Sequence, residues 1–363
     1  MNRITRVFLW LLALGVIGAL VASAVRADRT ALASPVITPT PLWQYKGCFS
    51  SWCQTGWYAS PAVADLNGDG APEVIWSGYS IYVVDGASHA VADVRREDVS
   101  LTVVGAPRAV DYFAREESPV SYGLVIDNSG SVRQILDLLA RTASTLVATN
   151  RPDDEAFVMR FVDQPRTSIL EDFTSDKPSL VSALSDMYVE GGQTAVVDAV
   201  YRAAEHTAER AGGGRRLALV VVTDGEDRGS QRKVEELTQL LRRSGIRVFV
   251  IGLTGLLDNA SSFIHQNSRE KATTLLQTIS AESGGRAFFP TFGKTVAGEL
   301  TDAINEIGDG LRAGYVVGFA APDASADGKF HKVQVWVAEG AGKGKRKVVA
   351  APGYFAAPTP SIK

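Results

Sequence analysis

The sequence predicts an α/β protein: a doubly wound, mostly parallel sheet, with a small β-rich unit before it and a short β addition after it. Three observations predict this. Between residues 122 and 147 an apolar run stops at a polar turn, and a helical pattern follows at three- and four-residue spacing. A second apolar run, 217–222, ends in Thr223-Asp224-Gly225. Apolar runs of strand length then alternate with amphipathic runs of helix length through residue 312, the pattern of parallel strands joined by helices. The 363 residues leave room for about two or three domains, and 45% hydrophobic with 21% charged residues is a globular composition. A net charge of −3 gives no reason to expect nucleic acid as a partner.

Residues 1–27 read as a targeting segment. Arg3 and Arg6 precede an uncharged run from 7 to 25, and Ala22-Ser23-Ala24 and Val25-Arg26-Ala27 both resemble signal-peptidase sites. The run also approaches the roughly 20 residues that span a bilayer. It is therefore either removed or kept as an anchor with its positive charge inside. In both cases the rest of the chain is exported, to the periplasm or the exterior, and the membrane is met only through this segment. Residues 28–44 form a linker, with three prolines within 34–41 giving an extended tether. Cys48 and Cys53 are the only cysteines. In an exported chain they are expected to form a disulfide, the alternative being two free thiols.

A β unit is expected over 45–92. Within it, Asp65, Asn67, Asp69 and Glu73 place oxygens at loop positions 1, 3, 5 and 9, with Gly70 at position 6, as a calcium loop begins. An EF-hand needs Glu at position 12, where Trp76 stands, and the flanks read as strands. The unit resembles an FG-GAP repeat, one blade of a β-propeller. One blade cannot close a propeller. The alternative is a polar turn that holds no ion. Residues 93–118 read as a β lead-in.

The α/β domain is placed at 119–312. Its first strand carries Leu124, Val125 and Ile126 and stops at Asp127. Ser129 and Ser131 follow, with Gly130 between them, before a helix marked by Val132, Ile135, Leu136, Leu139, Ala143 and Leu146. Ligands of open parallel sheets sit at the carboxyl ends of strands. This turn therefore offers one carboxylate and two hydroxyls to a hard cation. Two further turns would complete the set: Gly191-Gly192-Gln193-Thr194, with a hydroxyl, and Thr223-Asp224-Gly225, with a carboxylate. Taken alone, the first turn also reads as an ordinary helix cap. Glu226 and Asp227 read as solvated loop charges.

Asp127, Ser129, Ser131, Thr194 and Asp224 together resemble the metal-ion-dependent adhesion site of von Willebrand factor A domains: Asp-x-Ser-x-Ser, then a Thr, then an Asp. The resemblance spans roughly 119–312 and implies a Rossmann-like fold. It implies a Mg²⁺ ion bound directly by the hydroxyls, with the Asp residues acting mostly through water. It also implies a coordination position left for an acidic group on a protein partner. Over 93–357 the chain resembles bacterial VWFA-related proteins of the Acidobacterial type, on residues 122–131, 191–199, 223–227, 314–319 and Pro352-Gly353-Tyr354. Residues 313–357 change period and suggest a small antiparallel addition.

No catalytic residue is assigned. The four histidines sit in no metal pair and beside no Gly-x-Ser-x-Gly elbow, and no P-loop occurs. Two function classes remain. The first is an adhesion or protein-binding module using Mg²⁺. The second is a Mg²⁺-dependent hydrolase built on Asp127, or a regulatory subunit of an envelope enzyme complex. The Ser and Thr ligands favour the first, because they leave the cation electrophilic and no general base is evident.

Overall fold

Runs of two to eight residues, largely apolar in the centre of the main sheet, set the described strands of this chain. The computed structural model describes residues 62–64, 73–75, 79–85, 90–188, 191–211, 214–257, 268–292, 295–319, 329–339 and 345–356. The leader and tether, the Cys48 and Cys53 pair, and Asp65, Asn67 and Asp69 of the calcium-type loop lie outside the described residues, as does the side chain of Glu73. Among the described residues no helix is long and apolar enough to cross a membrane.

In chain order, β1 (Ala62–Ala64) and β2 (Glu73–Ile75) pair as an antiparallel hairpin, and β3 (Tyr79–Val84), β4 (Val99–Val103), β5 (Ala106–Arg108) and β6 (Tyr112–Glu116) follow. The α/β part is β7 (Val120–Asp127), α1 (Leu136–Ala148), β8 (Glu155–Phe161), β9 (Ser168–Thr174), α2 (Lys177–Ser185) and α3 (Val196–Ala208), then β10 (Arg216–Thr223), α4 (Val234–Ser244), β11 (Arg247–Gly252), α5 (Ser268–Ser283), β12 (Ala287–Phe288) and α6 (Val296–Arg312). The chain closes with β13 (Gly314–Gly318), β14 (Phe330–Val337), β15 (Lys347–Ala350) and β16 (Gly353–Phe355).

The expected doubly wound sheet is present, in the order β12-β11-β10-β7-β8-β9. Every pairing is parallel except that of β9, which runs antiparallel to β8 at the edge. All eight residues of β7 are buried, because helices cover both faces. Tyr122, Leu124 and Ile126 point to the layer of α1, α2 and α6, where Leu139, Leu146, Leu180, Ile304 and Ile307 meet them. Val125 points the other way, with Phe157, Leu219 and Val221, to the layer of α3, α4 and α5. This alternation is the two-residue period of a strand. Two details differ from expectation. A 3-10 turn at Gly130–Val132 precedes α1, which starts only at Leu136, and β9 is an additional strand.

The lead-in and the C-terminal addition form one structure. β13 lies between β3 and β6 in the sheet β15-β3-β13-β6, and β14 pairs with β4 in the sheet β16-β14-β4-β5. Ile81, Val83, Leu101, Val103, Tyr315, Val317 and Val333 fill the space between the two sheets. The α/β domain is therefore inserted into a β-sandwich. The chain enters the insert from β6 and returns on β13, and Glu116 sits opposite Gly314 in the ladder.

Close approach across the central sheet depends on Gly123, midway along β7. A Cβ there would come 2.2 Å from Phe157 Cζ and 2.8 Å from Leu219 Cδ2. Gly123→Ala is expected to lower stability by roughly 1–3 kcal/mol, the usual cost of overpacking. Urea unfolding should show this as a reduced midpoint at constant m-value. An unchanged midpoint would mean that the Phe157 ring moves aside without penalty.

Candidate metal centre

The three predicted turns meet at the carboxyl ends of β7 and β10. Asp127 ends β7 fully buried. The Ser129 amide donates to Asp127 Oδ1 at 2.8 Å, and the Thr223 hydroxyl donates to Asp127 Oδ2 at 2.6 Å. The Ser129 and Ser131 hydroxyls are 2.9 Å apart, and Ser131 hydrogen-bonds Asp224. Asp224 in turn accepts from the Glu226 amide at 2.9 Å. Four of the five predicted side chains thus form one continuous chain of oxygens. Thr194, 5% exposed, joins through its backbone: its carbonyl accepts from the Arg228 and Gly229 amides at 2.9 and 3.0 Å. Among the described residues its hydroxyl makes no hydrogen bond to the other four.

The electrostatics are unfavourable as they stand. Burial, and then the neighbouring Asp224 charge, push the Asp127 carboxyl up to about 6. Burial also raises Asp224. The cation that acts on Asp224 is Arg228, whose side chain is 59% exposed and bonded to Glu226. Beside Asp127, the Asn128 Oδ1 atom is buried without a partner among the described residues, while its Nδ2 donates to the Tyr188 carbonyl. Two buried acids, two bridged hydroxyls and no basic ligand make an oxygen-only donor set, which suits a hard divalent cation. Among the described residues no three His, Cys, Asp or Glu side chains cluster for a softer metal.

Residues outside the predicted set hold the turns together. Asp227, read from sequence as a solvated charge, is exposed but accepts from the Val196 amide at 2.8 Å and from the Ser230 hydroxyl at 2.6 Å. Ser230 Oγ accepts from the Asp198 amide at 3.1 Å, and the Asp198 carboxylate accepts from the Gln231 and Arg232 amides at 3.0 and 2.9 Å. This clasp fixes the Thr194 turn against the Asp224 turn. The signal in the sequence is Asp198 four residues after Thr194, with Asp227 and Ser230 just past Asp224. Thr223 is a further unpredicted contributor, bridging Asp127 and the Gly225 amide.

Residues 123–303 match the von Willebrand factor type A domain family. Similar solved structures include BatB from Bacteroides thetaiotaomicron, 18% identical over 52% of this chain and 98% of that one, with a TM-score of 0.40. An aerotolerance-related membrane protein from Bacteroides fragilis is 21% identical over 52% and 99%, with a TM-score of 0.38. Proximal thread matrix protein 1 from the mussel byssus, in a form with a zinc-occupied MIDAS motif, is 16% identical over 53% and 49%, with a TM-score of 0.42.

The raised Asp127 carboxyl has a testable sign. A carboxyl that holds its proton more tightly when folded gives stability that is present below about pH 4 and lost as pH rises through about 6. In EDTA, Asp127→Asn is expected to gain on the wild type between pH 4 and pH 7, by on the order of 2 kcal/mol. Chemical unfolding of both proteins across that range measures the difference. A difference that stays constant with pH would show that Asp127 titrates normally.

Proposed function

With a von Willebrand factor type A domain at residues 123–303 as the starting point, a domain commonly used as a metal-dependent protein-interaction module, we propose that this chain is an exported binding protein. It captures an acidic group of a protein partner through a Mg²⁺ ion held by Asp127, Ser129, Ser131, Thr194 and Asp224. The observation that carries this reading is the buried, hydroxyl-bridged pair Asp127 and Asp224, with no cation acting on Asp127 among the described residues. When bound, the ion supplies positive charge and a coordination position for an outside oxygen.

The chain's own groups do the rest. Asp127 and Asp224 neutralise the charge, and their raised proton affinity falls once a cation compensates them. Ser129, Ser131 and Thr194 contribute neutral oxygens, so the ion stays electrophilic on their side and attracts a carboxylate. Thr223 and the Ser129 amide hold Asp127 in one rotamer, and the Asp227–Ser230–Asp198 clasp holds Thr194 at a fixed distance from Asp224. Such pre-positioning reduces the ordering cost of binding.

Calorimetry of Mg²⁺ into the EDTA-stripped chain tests the ligand set. Asp127→Ala should abolish binding, and Ser129→Ala and Thr194→Ala should each weaken it roughly tenfold, about 1.4 kcal/mol. Asp227→Ala should weaken it by a similar factor through loss of the clasp that positions the Thr194 turn. The carboxylate preference is then read by NMR, titrating acetyl-Gly-Glu-Gly-amide against acetyl-Gly-Gln-Gly-amide. Shifts at the 127–131 and 224–226 turns are expected with the Glu peptide in Mg²⁺ alone. Equal shifts in EDTA, or equal shifts with the Gln peptide, would refute capture of a carboxylate by the metal.

Export rests on Arg3, Arg6 and the uncharged run at 7–25. In spheroplasts of an expressing bacterium, added protease is expected to digest the α/β domain. Intact mass will distinguish cleavage after Ala24 or Ala27 from a retained anchor. Protection of the domain until the membrane is lysed would place it in the cytoplasm instead.

A further inference from the structure

The opposite end of the sheet carries a second concentration of charge, at the seam with the sandwich. Arg216 opens β10 and Arg247 opens β11, on neighbouring parallel strands. Their side chains are only 10% and 12% exposed. One acid, Glu116 at the end of β6, lies between them, with Oε2 at 4.0 Å from Arg216 Nη1 and 3.9 Å from Arg247 Nη2. Both distances exceed hydrogen-bond length. Glu116 Oε2 is instead engaged by the Ser80 hydroxyl at 2.9 Å. Arg216 Nε donates to the Ser118 carbonyl at 3.3 Å. Arg216 Nη1 and Nη2 and Arg247 Nη2 are buried with no hydrogen-bond partner among the described residues.

Two neighbouring acids are already committed. Asp154 pairs with Arg312 at 3.5 Å and accepts from the Val120 and Arg151 amides. Glu306 pairs with Arg286 at 2.6 Å. Among the described residues, the ion pairs of these two guanidinium groups go to a single carboxylate, leaving one positive charge in surplus. Burial pushes the Arg216 guanidinium down to about 10, in keeping with a cation short of compensation. Gly314 permits this close packing: a Cβ there would lie 2.8 Å from Glu116 Oε2 and 3.5 Å from Arg216 Nη1.

Buried donors of this kind are rarely left without an acceptor. A water molecule has two lone pairs, must place its own hydrogens, and leaves the surplus charge in place. A monatomic anion has no hydrogens of its own to place and balances the charge. We propose that Arg216 Nη1 and Nη2 and Arg247 Nη2 form a binding site for a small inorganic anion of the chloride class, lodged between the inserted domain and the sandwich. Because it lies at the amino ends of β10 and β11, this site is independent of the Mg²⁺ reading.

The test uses the full chain and chloride or bromide as probe. Thermal unfolding in sodium chloride is compared with sodium gluconate at equal ionic strength. The midpoint should be roughly 2–4 °C higher in chloride at ten times the dissociation constant. Arg247→Met should abolish the difference, and Glu116→Gln should enlarge it by removing the competing charge. Crystals grown in bromide should show an anomalous peak beside Arg216 Nη1 and Nη2. Should Arg247→Met fail to fold, the Glu116→Gln melts and the bromide crystals decide. Equal midpoints in the two salts would overturn the site. So would water without anomalous signal, and so would a bromide peak with no chloride-specific stabilisation, which would mark an adventitious ion only.

Discussion

The candidate centre depends on the burial of β7 from both sides. Helices on the two faces force every residue of β7 into the interior, up to and including Asp127. An acid at that position loses its hydration, and the local chemistry is arranged in response. Thr223 and the Ser129 amide supply hydrogen bonds to its two oxygens. Those bonds orient the carboxylate without neutralising it, and Asp224 adds a second charge of the same sign. A pair of acids kept buried at one end of the sheet and bridged by hydroxyls is the feature on which the proposed cation site rests.

The same reasoning with the sign reversed applies at the other end of the sheet. There the surplus is positive, the donors are guanidinium N–H groups, and Glu116 is the shared acid. Both ends of the parallel strands thus hold uncompensated charge. At the carboxyl ends it belongs to two buried acids, Asp127 closing β7 and Asp224 in the turn after β10. At the amino ends it is enclosed by β3, β6 and β13.

Much of this was legible from local pattern. The 3.6-residue spacing of Leu136, Leu139, Ala143 and Leu146 and the unbroken apolar run at 217–222 identify helix and central strand, and their ends locate Asp127, Ser129, Ser131 and Asp224. What was not legible depends on distant partners. Asp227 looks like a loop charge because its acceptor role exists only when the Val196 amide arrives from another turn. β9 was missed because an edge strand with half-exposed residues, Ser-Ile-Leu-Glu-Asp-Phe-Thr, lacks the apolar run of its neighbours. The sandwich was read as separate pieces because nothing local in Tyr79–Val84 says that its partners are Gly314–Gly318 and Lys347–Ala350.

That last pairing has a consequence for how the chain comes to be folded. During synthesis, β3 and β6 emerge long before β13, the strand that joins them, because the whole α/β domain is made in between. The inserted domain can collapse as a unit, since its own strands and helices follow one another closely. The sandwich halves cannot; they keep open, apolar strand edges until the last segment of the chain is present. The first half of the sandwich is thus the portion of the nascent protein most exposed to mispairing, and the insert acts as a timer on its completion.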